Sequence, residues 1–428
     1  MDYFKYKYKE LYCEDLKVST LADKFSTPLY IYSLKTIVRH FRVTSEAFGD
    51  IPHLICYAAK ANSNLAILKT AALCGAGCDV VSIGELKSAL KAGIERRKIV
   101  FSGVGKTDDE IATAIKANIL FICVESLQEL ETISKISSSI RKNVNIAVRV
   151  NPEIDPKTHP YIATGLKKTK FGLSEKETLI AYFLTQKMKY VHPVGISMHI
   201  GSQIEYVGPY SEATKKIIDI YRILAENGIN LKYIDIGGGW AAHFGKHAQR
   251  LPHPENYVRA TKRFFKNLPV TVLVEPGRSI VGNAGILVTR VIMSKKTHNK
   301  TYCVVDAGMN DFIRPVLYHG LHRIEPVIRQ SRKIIKQDVV GPICENSDYF
   351  AKNLQLPLMH KGDLLAVFTA GAYGSVMSSN YNSRLRSAEV AVAGDKTILI
   401  KKRESYGDLE RGQNSAGISI SLVKSLET

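Results

Sequence analysis

One lysine stands where a buried strand should end. Lys60 lies between small residues in the segment CYAAKANSN, directly after the apolar run HLIC. A lysine in this position is either a solvated residue at the strand end or an amine held in place for chemistry. The residue alone leaves both interpretations open, and the other polar groups of the chain have to decide between them.

Three further features have side chains or backbone groups suited to chemistry. The run DIGGGW (235–240) contains three glycines, whose bare N–H groups can close around a phosphate. Glu275, in EPGR, ends an apolar strand, where a carboxylate needs a partner. His199, in MHIGSQ, could be a satisfied core histidine, but its place at a strand end favours ring stacking or proton handling. An amine, a phosphate cradle and a carboxylate together suit pyridoxal phosphate.

The elements that must position these groups alternate between apolar strands and amphipathic helices. Eight such units within about 250 residues predict a (β/α)8 barrel, of the TIM type, over residues 34–282. A doubly wound sheet is the alternative, but no GxGxxG opens the first unit. The predicted strands are 53–58, 78–82, 98–102, 119–124, 145–150, 194–200, 233–239 and 270–277.

Active sites of such barrels form at the carboxyl ends of the strands. Polar residues and glycines that are far apart in the sequence converge on this rim, which is a stronger signal than any single motif. The convergent residues are Lys60, Asp79, Ser82, His199, Ser202, Gly237, Gly238, Gly239, Glu275, Gly277 and Arg278.

After residue 282 the pattern changes to short strand-like runs separated by Gly, Asn and Asp, which predicts an antiparallel β domain over 283–411. The N-terminal segment 1–33 is expected to contribute to this domain, and 412–428 to form a loosely ordered tail. The run SGVGKTDDE (102–110) resembles a phosphate loop, but Val100 stands where that motif requires glycine. We therefore expect a turn and a capped helix start there.

Composition excludes several classes of protein. The 428 residues carry a net charge of +19, but the basic residues are spread along the chain without a nucleic-acid-binding module. No apolar run approaches the length of a membrane span, and the N-terminus lacks a secretory signal. The seven cysteines form no CxxC pair, and no ligand cluster predicts a metal. A cytoplasmic protein that binds neither nucleic acid nor membrane is expected.

As a set, the motifs are specific. The chain resembles the diaminopimelate decarboxylases, within the barrel-fold family of PLP-dependent amino-acid decarboxylases that also includes ornithine and arginine enzymes. The resemblance covers roughly residues 20–410 and implies a barrel plus a β domain, as in alanine racemases. It rests on YAAKAN, DVVSIGEL, TGLKKTKFG, MHIGSQ, DIGGG, EPGR, RPVLY, GPICENSD and GAYG.

The resemblance also implies roles at the cofactor. Lys60 would bond to the pyridoxal phosphate, and His199 would stack on its ring. The phosphate and the pyridine would be bound by Ser202, Gly239 and the segment 275–278, in which Glu275 keeps the pyridine nitrogen protonated. Tyr373 would also contact the cofactor.

Further implied roles concern the substrate, meso-diaminopimelate, which would lose carbon dioxide at its D-centre to give L-lysine. Cys344 would be the proton donor, supplied by the neighbouring subunit of a homodimer with shared sites. Glu345 would bind the distal ammonium of the substrate. Its distal carboxylate would meet Arg278, Arg314 and Tyr318.

Three alternatives remain. An ornithine, arginine or polyamine-precursor decarboxylase would share the scaffold, but would need an acidic residue for a bare distal amine. An alanine-racemase-like enzyme would set arginine, not Glu275, against the pyridine nitrogen. A PLP carrier or an inactive regulatory homologue would lack the β domain, the lysine or the cysteine. One departure from the family pattern is Trp240-Ala241, after the glycines, which affects the expected phosphate-loop geometry.

Overall fold

The computed structural model describes residues 2–158, 164–166, 168–244, 251–416, 418 and 426. The chain starts with a small antiparallel sheet of β1 (Phe4–Lys7), β2 (Glu10–Cys13) and β3 (Leu16–Lys17). Helix α1 (Val18–Phe25) and strand β4 (Leu29–Ser33) follow. All five residues of β4 are buried, because the strand enters the centre of a sheet formed mainly by the other end of the chain.

The predicted barrel is confirmed. Eight parallel strands close into a barrel in chain order, with the last strand paired to the first. Most of them are buried on both faces, as their continuous Val and Ile runs predict. The strands are β5 (His53–Ala58), β6 (Gly77–Val80), β7 (Ile99–Phe101), β8 (Phe121–Val124), β9 (Val144–Val150), β10 (Val191–Met198), β11 (Tyr233–Gly238) and β12 (Thr271–Glu275).

Helices surround the barrel, and polar N-caps start several of them. Thr107 caps the helix Asp108–Ala117 and forms a capping box with Glu110, so SGVGKTDDE is the turn and capped helix start that its sequence predicts. The helices are α2 (Leu34–Phe48), α3 (Leu65–Leu73), α4 (Ile83–Ala92), α5 (Asp108–Ala117), α6 (Leu127–Ile140), α7 (Glu175–Thr185), α8 (Val207–Glu226), α9 (Pro254–Thr261) and the single turn α10 (Arg278–Val281).

The β domain is a nine-stranded sheet that includes β4. Its other strands are β13 (Gly285–Thr297), β14 (Lys300–Val305), β15 (Ile324–Pro326), β16 (Ile334–Val340), β17 (Tyr349–Pro357), β18 (Leu364–Val367), β19 (Ala388–Ala393) and β20 (Lys396–Lys401). Two short helices belong to this part of the chain, α11 (Arg314–Tyr318) and α12 (Tyr406–Glu410).

The sheet is mostly antiparallel, as expected, but two of its strand pairs are parallel: β4 with β19 and β14 with β16. Both pairs are joined by long connections, which parallel pairing requires. The N-terminal segment contributes through β4, while β1–β3 form their own sheet, tied to the domain by the backbone hydrogen bond from Leu11 to Val327 (2.8 Å).

Two further expectations can be compared with the structure. Much of the predicted tail, 412–428, lies outside the described residues. In the described part of the chain, no helix combines the length and the apolar character needed to cross a membrane.

Candidate active site

Lys60 is held by a buried carboxylate. It lies in the single 3₁₀ turn Ala59–Ala61 that follows β5, and its Nζ is 3.0 Å from Oδ2 of Asp79 in β6. Burial is the largest single effect and disfavours the lysine cation, but the charge of Asp79, its hydrogen bond and the other acidic neighbours together outweigh it, so the pKa of Lys60 is raised. Small residues are needed beside it, since a Cβ on Gly277 would lie 2.9 Å from the Cβ of Ala61. Lys60 is therefore an amine anchored by an ion pair, with 36% of its side chain exposed, and not a freely solvated residue at a strand end.

Glu275 is a buried carboxyl group with an uncommitted oxygen. It ends β12, and its Oε1 has no hydrogen-bond partner in the described part of the chain. Burial, followed by the nearby charges of Asp235 and Asp79, raises the pKa of Glu275 well above its ordinary value. The negative charge of Asp235 is stabilised by hydrogen bonds, because the Ser197 hydroxyl (3.0 Å) and the Gly237 N–H (2.9 Å) donate to its carboxylate. Glu275 is thus the member of this pair that holds a proton.

His199 lies at the same rim, and its imidazole ring is neutral. Its Nδ1 accepts a hydrogen bond from the Gly238 N–H at 3.2 Å, so the proton of the ring belongs on Nε2. Burial, with the charges of Lys60 and Arg149, lowers its pKa well below the ordinary value. An uncharged, edge-anchored imidazole of this kind can stack on a planar ligand.

The glycine run DIGGG is tightly packed between strand ends. Gly237 has φ +66° and Gly239 φ +86°, and a Cβ on Gly239 would lie 2.0 Å from the carbonyl oxygen of Gly201. Two of the three N–H groups are committed within the protein: Gly237 to Asp235 and Gly238 to His199. Trp240, which departs from the family pattern, does not enter the site, because its ring is buried and stacks on Tyr257 with 5.4 Å between the ring centroids.

Two buried arginines lie on another side of the same space. Arg278 Nη2 donates to Ser202 Oγ at 3.0 Å, whereas its Nε and Nη1, like Nε of Arg314, have no partner among the described residues. Burial lowers the pKa of Arg278, and burial with the charge of Arg278 lowers that of Arg314 to about 9.

Aromatic rings cover both guanidinium groups. The Phe244 ring lies 5.6 Å from Arg278 and 5.2 Å from Arg314, with Tyr373 and Tyr318 packed against one arginine each. Tyr373 has φ +54°, a backbone strain of the kind that often marks a binding site. Two such desolvated cations favour an anionic ligand.

These groups line one cavity of about 350 Å³. Among the residues proposed from the sequence, those that line it are Lys60, His199, Ser202, Glu275, Arg278, Arg314, Tyr318 and Tyr373. Asp79 and Gly238 contact lining residues from behind, and Gly237, Gly239 and Gly277 lie in the packed rim.

Cys344 and Glu345 are not brought to this cavity within the chain. Cys344 is exposed, and its N–H donates to Asn382 Oδ1 at 3.3 Å. The Glu345 carboxylate, also exposed, accepts from Ser347 Oγ at 2.9 Å and from the Tyr381 hydroxyl. Both residues stand on an open surface of the β domain.

Sequence reasoning missed Arg149, which lines the cavity and forms a 2.7 Å ion pair with Glu125. A signal existed, because a charged residue near the carboxyl end of the otherwise apolar strand NIAVRV is unusual. Phe171, Thr164 and Ser197 also line the cavity without having been singled out.

The group of side chains fits pyridoxal phosphate. The unpartnered Glu275 oxygen suits a pyridine nitrogen, Lys60 an aldehyde, and Arg278 with Ser202 a phosphate. No cluster of His, Cys, Asp and Glu able to hold a metal ion occurs in the described ranges of the chain.

Comparisons with known proteins agree with this assignment. The model of the pyridoxal binding domain of pyridoxal-dependent decarboxylases matches residues 34–282. The chain therefore belongs to the pyridoxal-dependent decarboxylases. The diaminopimelate decarboxylase of Aquifex aeolicus (strain VF5) is 45% identical over 94% of this chain and 96% of that protein. Within its class, the chain belongs to the diaminopimelate decarboxylase family.

Solved structures give the same result. The crystal structure of diaminopimelate decarboxylase from Helicobacter pylori complexed with L-lysine has a TM-score of 0.89 at 45% identity, covering 92% of this chain and 98% of that one. The enzyme from M. jannaschii in co-complex with L-lysine has a TM-score of 0.92 at 36% identity, with coverage of 97% and 98%.

Proposed function

We propose that this protein is a carboxy-lyase that converts meso-2,6-diaminopimelate to L-lysine and carbon dioxide with pyridoxal phosphate. Beside the family membership, one structural observation carries the choice of substrate. Arg278 and Arg314 are buried in the wall of the Lys60 cavity, and no ion pair joins either to a carboxylate in the described part of the chain. A substrate with a second carboxylate neutralises such cations, whereas the bare distal amine of ornithine would be repelled by them.

The cofactor-binding groups follow from their chemistry. Lys60 would supply the amine that bonds to the cofactor aldehyde, and Asp79 holds that amine in place. Glu275 would supply the proton at the pyridine nitrogen, and the neutral His199 would offer a ring face to the cofactor. The phosphate contacts would fall to Ser202, Gly239 and the Nη2 of Arg278, because the N–H groups of Gly237 and Gly238 are already used. The Nε and Nη1 of Arg278, which have no partner among the described residues, would remain for the substrate. When bound, the cofactor withdraws the electrons that the departing carboxylate leaves behind.

At the other end of the substrate, Arg314 and Tyr318 bind the distal carboxylate, together with Arg278. The aromatic cover from Phe244 keeps water from the two guanidinium groups, so a charged hydrogen bond formed there is stronger than one in water. This end of the cavity distinguishes diaminopimelate from smaller amines.

Two residues of the reaction come from a second copy of the chain. Cys344 delivers the proton that replaces carbon dioxide, and Glu345 binds the distal ammonium group. Their exposure on the β domain, outside their own chain's cavity, supports a homodimer in which each site uses both subunits.

The experiment is a substrate panel on the purified protein loaded with pyridoxal phosphate. Release of carbon dioxide is measured for meso-diaminopimelate, L-ornithine, L-arginine and L-lysine at equal concentrations. We expect release of carbon dioxide from meso-diaminopimelate alone, with L-lysine as the other product. Preferential turnover of ornithine or arginine would replace the proposed substrate, and binding of the cofactor without any turnover would favour a carrier or regulatory role.

A further inference from the structure

Glu125 does not line the cavity, yet it connects two parts of the cavity wall. It follows β8 and is only 7% exposed. Its Oε1 accepts from Arg149 Nη1 at 2.7 Å, and its Oε2 accepts from the Gly172 N–H at 2.8 Å. Arg149 lines the cavity, as does Phe171, the neighbour of Gly172. One carboxylate therefore bridges a barrel strand and the end of the segment that follows that strand.

Arg149 depends on this carboxylate for its position. Its guanidinium lies 4.8 Å from the Phe171 ring, and Nη2 makes a long contact of 3.5 Å with the carbonyl oxygen of His199. Since the residue is 7% exposed, loss of the Glu125 charge would leave a buried cation without its ion pair. The guanidinium would then lose its fixed place between His199 and Phe171.

Glu125 is itself fixed from the outer side. Its backbone N–H donates to Glu129 Oε2 at 2.6 Å, and the other oxygen of Glu129 binds Lys106 Nζ at 2.8 Å. Lys106, whose side chain is 1% exposed, also donates to the carbonyl oxygens of Gly103 (2.6 Å) and Cys123 (2.7 Å). The lysine of SGVGKTDDE therefore supports the cavity wall instead of binding phosphate.

We infer that Glu125 is a positioning residue for the decarboxylation, which holds Arg149 and the Phe171–Gly172 backbone in the cavity wall without contacting the reactants. The inference rests on the proposed function, because it assigns the geometry of that same cavity. A carboxylate suits this place, since both neighbours are donors and each of its two oxygens accepts from one of them.

The test uses Glu125→Gln, which keeps the size of the side chain. The amide replaces one acceptor oxygen by an NH₂ group, so in the wild-type orientation either the Arg149 guanidinium or the Gly172 N–H faces a donor instead of an acceptor. Asp338→Asn is the matched control. Asp338 is also a buried carboxylate that bridges a cation, Lys300 Nζ at 3.1 Å, and a backbone N–H, that of Asn353 at 2.6 Å, but it lies in the β domain outside the cavity.

Two quantities are measured. The kcat/KM for meso-diaminopimelate is determined with the holoenzyme, and the dissociation constant of pyridoxal phosphate is determined with protein stripped of cofactor. Glu125→Gln should lower kcat/KM by about 10- to 100-fold, because a misplacement of about 1 Å in groups that line the cavity can cost about 10²-fold, and it should weaken cofactor binding. Asp338→Asn should leave both quantities within about twofold of wild type, even if its melting temperature falls by as much as that of Glu125→Gln.

A double-mutant cycle separates positioning from general destabilisation. If Glu125 acts through Arg149, then Glu125→Gln should have little further effect in an Arg149→Met background, on kcat/KM and on the cofactor dissociation constant alike. The inference would be overturned if the effects of Glu125→Gln and Arg149→Met on kcat/KM multiplied, or if Glu125→Gln and Asp338→Asn lost kcat/KM equally. In both cases the wild-type protein would still decarboxylate diaminopimelate. Failure of the proposed function is a different result, because wild type itself would then not decarboxylate diaminopimelate.

Discussion

Arg314→Met should remove recognition of the distal carboxylate while leaving the reacting centre intact. Arg314 is 7% exposed and covered by Phe244 and Tyr318. Methionine keeps much of the apolar volume and removes the charge.

The magnitude follows from the bond that is lost. A hydrogen bond to a charged group in a protein contributes about 1.5–3 kcal/mol, which corresponds to a factor of about 10–150 in kcat/KM. Because the arginine is desolvated before the substrate arrives, we expect the upper part of this range. Arg314→Lys, which keeps a charge but loses the planar fork, should fall between methionine and wild type.

The assay compares two substrates that differ only in the distal carboxylate, meso-diaminopimelate and D-lysine. Arg314→Met should lower kcat/KM for diaminopimelate by the factor above, but should leave that for D-lysine unchanged or raise it, because the cation that repels its bare distal amine is removed. Arg290→Met is the control, since Arg290 binds Asp23 at 2.9 Å in the β domain, outside the cavity. Equal losses for both substrates would refute the assignment, because the residue would then act on the common part of the reaction.

Two further predictions concern the reaction itself. Glu275→Gln should still bind the cofactor, measured by absorbance titration, but lose about 10²–10⁴-fold in turnover, because an amide cannot keep the pyridine nitrogen protonated; near-normal turnover would show that another group does so. Lys60→Ala and Cys344→Ala, each nearly inactive alone, should regain about a quarter of wild-type activity when mixed under conditions of subunit exchange, because about half of the dimers then contain one intact site. A mixture that stays inactive, while mass spectrometry detects the heterodimers, would place Cys344 outside the shared site.

Much of the fold follows from the sequence, because barrel strands buried on both faces leave long Val and Ile runs. The run HLICYA is the strand β5 to the residue, and the other seven strands differ from their predicted ends by a few residues. The parallel pairing of β4 with β19 was not predicted. These two strands are far apart in the chain, so their pairing depends on tertiary packing. In addition, short parallel and antiparallel strands have the same local hydrophobic pattern.

The site was predictable where a polar residue or glycine interrupts an apolar strand end, as at Lys60 and Glu275. It was less predictable where a side chain acts through another. Glu125 and Glu129 stand near a helix start, where acidic residues are common for reasons of capping and helix dipole. Their contacts with Arg149 and Lys106 arise only when neighbouring barrel strands come together.

The central claim, that the Lys60 cavity holds the reactive cofactor, is tested most directly by chemical trapping. The purified protein is loaded with pyridoxal phosphate, reduced with borohydride, digested and mapped by mass spectrometry. The account predicts a single modified peptide, with the adduct on Lys60, and loss of the adduct when excess meso-diaminopimelate is added before reduction. An adduct on another lysine in the wild-type protein, retained in Lys60→Ala, would contradict it.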